Sequence, residues 1–167
     1  MRIAVFGTGS VGGFFGGKLA QAGEEVIFIA RGNHLAAIQR DGLRVESVMG
    51  DFHIFPARAE SDPSLVGQVD VVLVGVKAWQ LAEAARAIQP MVGPGTVVIP
   101  LQNGVEAASQ LAEVLGSAHV PGGLCRISSL VGGPGLIRHV GIPPYIAFNW
   151  ADAHPDARLQ QLQAAFQ

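Results

Sequence analysis

A chain of 167 residues, 49% hydrophobic and only 14% charged, carries enough apolar material for one domain with a sizeable core. Its net charge of −2 gives no basic field for nucleic acid, and no apolar run approaches the ~20 residues that span a bilayer. Cys125 is the only cysteine, so no intrachain disulfide forms; with no signal peptide read ahead of the first strand, the expected location is the cytoplasm.

Arg2–Phe6 is an apolar run that reads as a buried parallel strand. It leads directly into Gly7-Thr8-Gly9-Ser10-Val11-Gly12, a G-x-G-x-x-G turn, and then into a small-residue helix from Ser10 to Ala22 with Gly23 as its C-cap. Strand, glycine turn and helix in that order are the fingerprint of a dinucleotide-binding Rossmann unit. Gly7 lets the strand turn sharply, Gly9 lets the backbone approach a pyrophosphate, and Gly12 lets the helix pack close to the sheet. The helix N-terminus offers free N–H groups and the positive end of its dipole to phosphates.

Glu25–Ala30 is the second strand, and Asn33–Arg40 is a short helix ending near Asp41-Gly42. Leu43–Ser47 and Asp51–Phe55 read as two short strands joined by a turn at Met49-Gly50. Val69–Val74 is an almost continuous β-branched run, the pattern of a strand buried on both faces. A helix at Trp79–Gln89 ends at Pro90 and Gly93-Pro94-Gly95; Gly95–Ile99 is the next strand, and Val105–Leu115 is helical. This alternation predicts an α/β fold with a doubly wound, mostly parallel sheet. Beyond Gly116 the pattern changes. Val120–Val140 reads as one or two strands with a turn at Gly132-Gly133-Pro134-Gly135, and Tyr145–Phe148 as another. Pro155–Phe166 is an amphipathic helix with Leu159, Leu162 and Phe166 on one face. Residues 1–167 thus form one dinucleotide-binding domain, with 155–167 fitting the start of an interdomain helix.

The end of the second strand selects the cofactor. Ile29-Ala30-Arg31-Gly32 holds no carboxylate for a ribose 2′-hydroxyl, and the Arg31 guanidinium suits the 2′-phosphate of NADP. Lys77 and Asn103 follow the next two strands, at the carboxyl ends where open α/β sheets bind ligands. The blander alternatives are a solvated arginine, a helix-start lysine and an Asn-Gly turn. Other patterns fall short. Gly12 to Lys18 fits G-x-x-x-x-G-K, but Leu19 replaces the Ser/Thr that holds magnesium. The five histidines lack metal-ligand spacing, there is no G-x-S-x-G, and Cys125 reads as a small buried hydrophobe. A methyltransferase needs an acidic residue on strand two, which is absent.

Gly7-Thr8-Gly9-Ser10-Val11-Gly12-Gly13, Arg31-Gly32, Val76-Lys77-Ala78-Trp79-Gln80, Gln102-Asn103-Gly104-Val105 and Gly135-Leu136-Ile137-Arg138-His139-Val140-Gly141 together resemble the ketopantoate reductases (2-dehydropantoate 2-reductases). The resemblance covers essentially the whole chain. It implies NADPH-dependent reduction of 2-dehydropantoate, a 2-oxo acid, to pantoate, on the route to pantothenate and coenzyme A. It implies that Gly7, Thr8, Gly9, Ser10, Val11 and Gly12 hold the pyrophosphate and Arg31 the 2′-phosphate. Lys77 would then lie near the cofactor ribose and the active site, Asn103 would contact both cofactor and substrate, and the backbone around Ser128 would meet the nicotinamide. It further implies a helical C-terminal domain, carrying the general-acid lysine, that this chain does not include. The chain is therefore expected to bind NADPH, to reduce ketopantoate poorly or not at all alone, and to self-associate as a homo-oligomer through its exposed apolar face. Two other functions fit the same residues: a non-catalytic NADP-binding module, and an NADP-dependent dehydrogenase of a different 2-oxo or 3-hydroxy acid.

Overall fold

The computed structural model describes residues 1–102 and 106–167. Its elements run β1 (Arg2–Phe6), α1 (Ser10–Gln21), β2 (Glu25–Ile29), α2 (Gly32–Asp41), β3 (Leu43–Ser47), β4 (Phe52–Ile54), β5 (Arg58–Glu60), β6 (Val69–Val74), α3 (Leu81–Ile88), β7 (Val92–Pro100), α4 (Ala107–Leu115), β8 (Gly122–Arg126), β9 (Ser129–Gly133), β10 (Leu136–His139), β11 (Tyr145–Asn149) and α5 (Ala157–Ala165). Ile3, Ala4 and Val5 of β1 have no solvent exposure because both edges and both faces of that strand are covered. It is the middle strand of a five-stranded, all-parallel sheet ordered β5-β2-β1-β6-β7. The chain winds outward from β1 to β5, then returns beside β1 and winds the other way. The carboxyl ends of β1 and β6 therefore flank the switch point where such sheets open a crevice.

The doubly wound parallel sheet expected from the sequence is present, with three local differences. β5 has only three residues, with charged ends around a buried Ala59, so no periodicity marks it; pairing with Ile27–Ile29 makes it a strand. Gly93-Pro94-Gly95 lies inside β7 instead of ending the preceding helix. It sits at a register shift opposite Val69–Val71 on an edge strand, where proline is tolerated. Thr96 holds the irregularity, its hydroxyl accepting from Gly93 N–H at 2.8 Å and donating to Val69 O at 2.6 Å. The helix expected from Trp79 starts at Leu81, after a 3-10 turn over Ala78–Gln80.

Residues 120–140 form three strands, one more than the upper expectation. Two of them, β10 and β9, join β3 and β4 in a second sheet ordered β4-β3-β10-β9. Helix α1 is packed between the two sheets, which explains its glycines. A Cβ at Gly12 would lie 2.3 Å from Gly7 O and one at Gly16 2.5 Å from Val5 Cγ2, on the parallel sheet. One at Gly13 would lie 2.9 Å from Ile137 Cγ1 and one at Gly17 2.9 Å from Phe52 Cε2, on the second sheet. Each pair is four residues apart, so each forms a smooth stripe on one helix face.

The remaining strands, β8 and β11, pair antiparallel beside β7. Helix α5 buries Leu159 and Leu162, and Phe166 meets Phe15 of α1 edge-on, as the amphipathic pattern predicts. Asp156 caps α5, accepting from the backbone N–H groups of Arg158 and Leu159. The Arg158 guanidinium, with Trp150 Nε1–H at 2.9 Å, holds its carboxyl well below the usual carboxylate range. Because the folded pKa is depressed, this stabilisation is complete above the unfolded carboxylate pKa of ~3.9 and is lost as pH falls below it. Asp156→Ala is expected to cost about 1–2 kcal/mol at neutral pH. Thermal melts should show the gap to the parent closing as pH drops from 5 toward 2. A gap that does not change with pH would show that the carboxylate charge is not what stabilises this corner.

Candidate cofactor site

A cavity of about 330 Å³ opens at the carboxyl ends of β1, β2 and β6, on the switch point. Three segments form it: Phe6–Gly9 after β1, Ile29–Arg31 with His34 after β2, and Gly75–Lys77 with Gln80, Glu83 and Ala84 after β6.

Gly7 turns the chain with φ +94°, a conformation that favours glycine. A Cβ there would sit 2.9 Å from Val76 N, so the turn rests on the exit of β6. Thr8 is buried, and both its N–H (3.0 Å) and its hydroxyl (2.9 Å) donate to Ile29 O. Its side chain therefore ties the glycine turn to the end of β2. Gly9 is the N-cap of α1 and has no capping side chain, and nothing lies within 4 Å of where its Cβ would be. The first turn of α1 thus presents uncapped N–H groups beside open space, and no acidic residue opposes an anion there. Ser10 and Val11 are half-buried in that turn and Gly12 packs on Gly7 O; none of the three lines the cavity wall.

Arg31 is the N-cap of α2. Its guanidinium reaches across the cavity mouth to the Glu83 carboxylate at 3.9 Å, both side chains being largely exposed. Lys77 is exposed on the same wall. The Lys77 N–H donates to Gln80 Oε1 at 3.1 Å and Lys77 O accepts from Gln80 N–H at 2.9 Å, which fixes that loop. Asn103 lies outside the described residues. Ser128 is exposed where β8 passes into β9, its carbonyl accepting from Val140 N–H at 2.8 Å, and it does not line the cavity.

Three contributors escaped the sequence reading. Gly75 is needed because a Cβ there would lie 2.8 Å from Gly7 O. The signal was a glycine immediately after a buried strand. Gln102 is buried, and its Nε2 donates to Val74 O (2.9 Å) and Val76 O (2.8 Å), tying the end of β7 to the loop carrying Lys77. His34 accepts the Gly135 N–H at Nδ1 (3.0 Å), which fastens the β9–β10 turn to α2 beside the cavity. The stretch from Gly12 to Lys18 lies within α1, and Lys18 Nζ sits 4.5 Å over the Phe52 ring, away from any phosphate loop. Cys125 is buried, and burial pushes its thiol up to about 11. Among the described residues no group of three or more His, Cys, Asp or Glu is placed to hold a metal ion.

Comparison with known proteins adds to this geometry. The family described as ketopantoate reductase PanE/ApbA matches residues 3–151. The chain belongs to the ketopantoate reductase family. A 2-dehydropantoate 2-reductase of Nostoc sp. strain PCC 7120 is 33% identical over 170 residues, covering 99% of this chain and 53% of that protein. One from Halobacterium salinarum is 35% identical over 172 residues, again covering 99% of this chain and 54% of the relative. The crystal structure of 2-dehydropantoate 2-reductase from Geobacter metallireducens superposes with a TM-score of 0.92 at 33% identity, covering 99% of this chain and 55% of that one. The chain spans about half the length of the curated relatives it matches. Among the described residues no helix is long and apolar enough to cross a membrane.

Proposed function

We propose that residues 1–167 are the NADPH-binding domain of a ketopantoate reductase that converts 2-dehydropantoate to pantoate in the cytoplasm, on the way to pantothenate. The observation that carries this is the pairing of an uncapped glycine turn, open at Gly9, with Arg31 across the same cavity. In this reading the N–H groups of Gly9, Ser10, Val11 and Gly12 take the pyrophosphate, with Gly7 and Thr8 shaping the turn. Arg31 takes the 2′-phosphate and Lys77 the adjoining ribose. Asn103 and the backbone near Ser128 complete the nicotinamide end, and Asn103 also contacts the substrate.

When bound, reduced nicotinamide supplies the hydride that adds to the substrate's ketone carbon. The developing alkoxide then needs a proton. Lys77 is the internal candidate for a donor, but its loop is fixed at the cofactor end by Gln80 and Gln102. By the family resemblance we assign the proton donor to a lysine outside residues 1–167. Self-association belongs to the same proposal: Leu124 and Tyr145 on the β8–β11 sheet are each about half exposed and apolar enough to be covered by a partner.

Calorimetric titration with NADPH, followed by steady-state assay of NADPH oxidation with 2-dehydropantoate, tests both halves. The expected result is saturable NADPH binding with turnover at least about 1,000-fold below the ~10 s⁻¹ median of enzymes in general. Failure to bind NADPH would sink the cofactor assignment. Full turnover by the 167 residues would place the proton donor inside them.

A further inference from the structure

Glu83 is the one carboxylate among the residues lining the cavity, and it stands opposite Arg31. The two are 3.9 Å apart and 73% and 76% exposed, so the pair is loose and Arg31 is free to swing onto an incoming phosphate. Glu83 is equally exposed, but its backbone keeps it on the cavity wall. It sits on the first turn of α3, whose start is anchored by the buried Leu81 and by the Lys77–Gln80 turn. A 2′-phosphate held by Arg31 therefore arrives beside a negative charge. A 2′-hydroxyl arrives beside a hydrogen-bond acceptor, the part an acid at the end of β2 plays in NAD sites. β2 ends here without that acid, and α3 supplies a carboxylate to the same space.

We infer that Glu83 is a second cofactor-selectivity residue, opposing Arg31: it disfavours the 2′-phosphate and accepts from the ribose hydroxyl, leaving the site with a narrow preference between NADPH and NADH. The inference rests on the reading of this cavity as the NADP(H) site. Two unit charges near 5 Å in a water-like medium interact by enough to change binding several-fold, and a phosphate dianion roughly doubles that free energy. Glu83→Gln keeps the side chain's length and an acceptor oxygen while removing the charge.

The experiment is calorimetric titration of the parent and Glu83→Gln proteins with NADPH and with NADH, at low and at 0.5 M-class ionic strength. The expected result is an NADPH affinity raised about five- to tenfold by the substitution at low salt, NADH unchanged or weakened by less than about threefold, and the NADPH gain shrinking as salt screens the charge. Weaker NADPH binding in Glu83→Gln would show that Glu83 serves to position Arg31, and would overturn the inference. So would an equal gain for both cofactors, or no change for either. In each of those cases the parent still binds NADPH and the cofactor assignment stands. Absence of binding in both proteins would overturn the assignment and this inference together.

Discussion

Arg31→Ala is expected to weaken NADPH binding by about 30-fold or more while leaving NADH within about threefold. Hydrogen bonds to charged groups contribute about 1.5–3 kcal/mol, and each 1.4 kcal/mol is a factor of ten in affinity. In the proposed site, NADH lacks the phosphate that those bonds would serve. The folded protein should not notice the loss. Arg31 is 76% exposed and its ion pair with Glu83 spans 3.9 Å, so the melting temperature should stay within about 2 °C of the parent. Titration with both cofactors, together with a melt, checks all three numbers. An equal loss for NADPH and NADH would remove Arg31 as the phosphate reader and leave it as a residue that holds the adenosine half of either cofactor.

The opposition between Arg31 and Glu83 also shows how far a sequence can be read. Arg31 was legible because its position is defined by local landmarks, a glycine turn and the strand that follows. Glu83 was not, because no local landmark ties a helix residue to the end of β2, and only the fold places it 3.9 Å from Arg31. The same division runs through the architecture. The bounds of β1 and β6 are evident in the sequence because their burial is nearly continuous along five or six residues. β5 was not, since three residues carry no period, and pairing with β2 alone makes them a strand. The second sheet was legible only as separate strands. Its decisive contact is a parallel pairing of β3 with β10, in which Val45 lies opposite Ile137, and no local pattern announces a partner so distant in sequence.

The glycines of α1 carry that lesson furthest. As a sequence they suggest a turn motif, a failed phosphate loop and a poor helix, since glycine is about 1 kcal/mol worse than alanine in a helix interior. In the fold they are the contact surfaces of a helix enclosed by two sheets. Each brings backbone or side chains closer than a Cβ would permit. The helix therefore owes its stability to packing on both sides rather than to propensity. It delivers its N-terminus to the switch point, where Gly9, its N-cap without a capping side chain, lines the cavity.

That separation of roles predicts different stability outcomes for two substitutions in the same turn. Gly9→Ala places a methyl in open space on extended backbone, with φ −85° and ψ −156°, so the melting temperature should change by less than about 2 °C. The same methyl occupies the ground over which a pyrophosphate must approach the backbone, so NADPH and NADH should both bind at least about tenfold more weakly. Gly12→Ala instead drives a Cβ to 2.3 Å from Gly7 O, a backbone atom that no side-chain rotation can relieve, and to 3.0 Å from Val5 Cγ1. Helix and strand must part, and overpacking of this kind costs about 1–3 kcal/mol. At 2–4 °C per kcal/mol for a chain of this length, the melting temperature should fall by about 2–12 °C. Cofactor binding should fall with it, because the Gly7 turn moves. Melts and titrations of the two variants side by side decide the matter. A Gly9→Ala protein that binds both cofactors normally would mean that the pyrophosphate does not cross this turn. A Gly12→Ala protein as stable as its parent would mean that α1 has room to leave the sheet, and that its glycines serve the ligand rather than the packing.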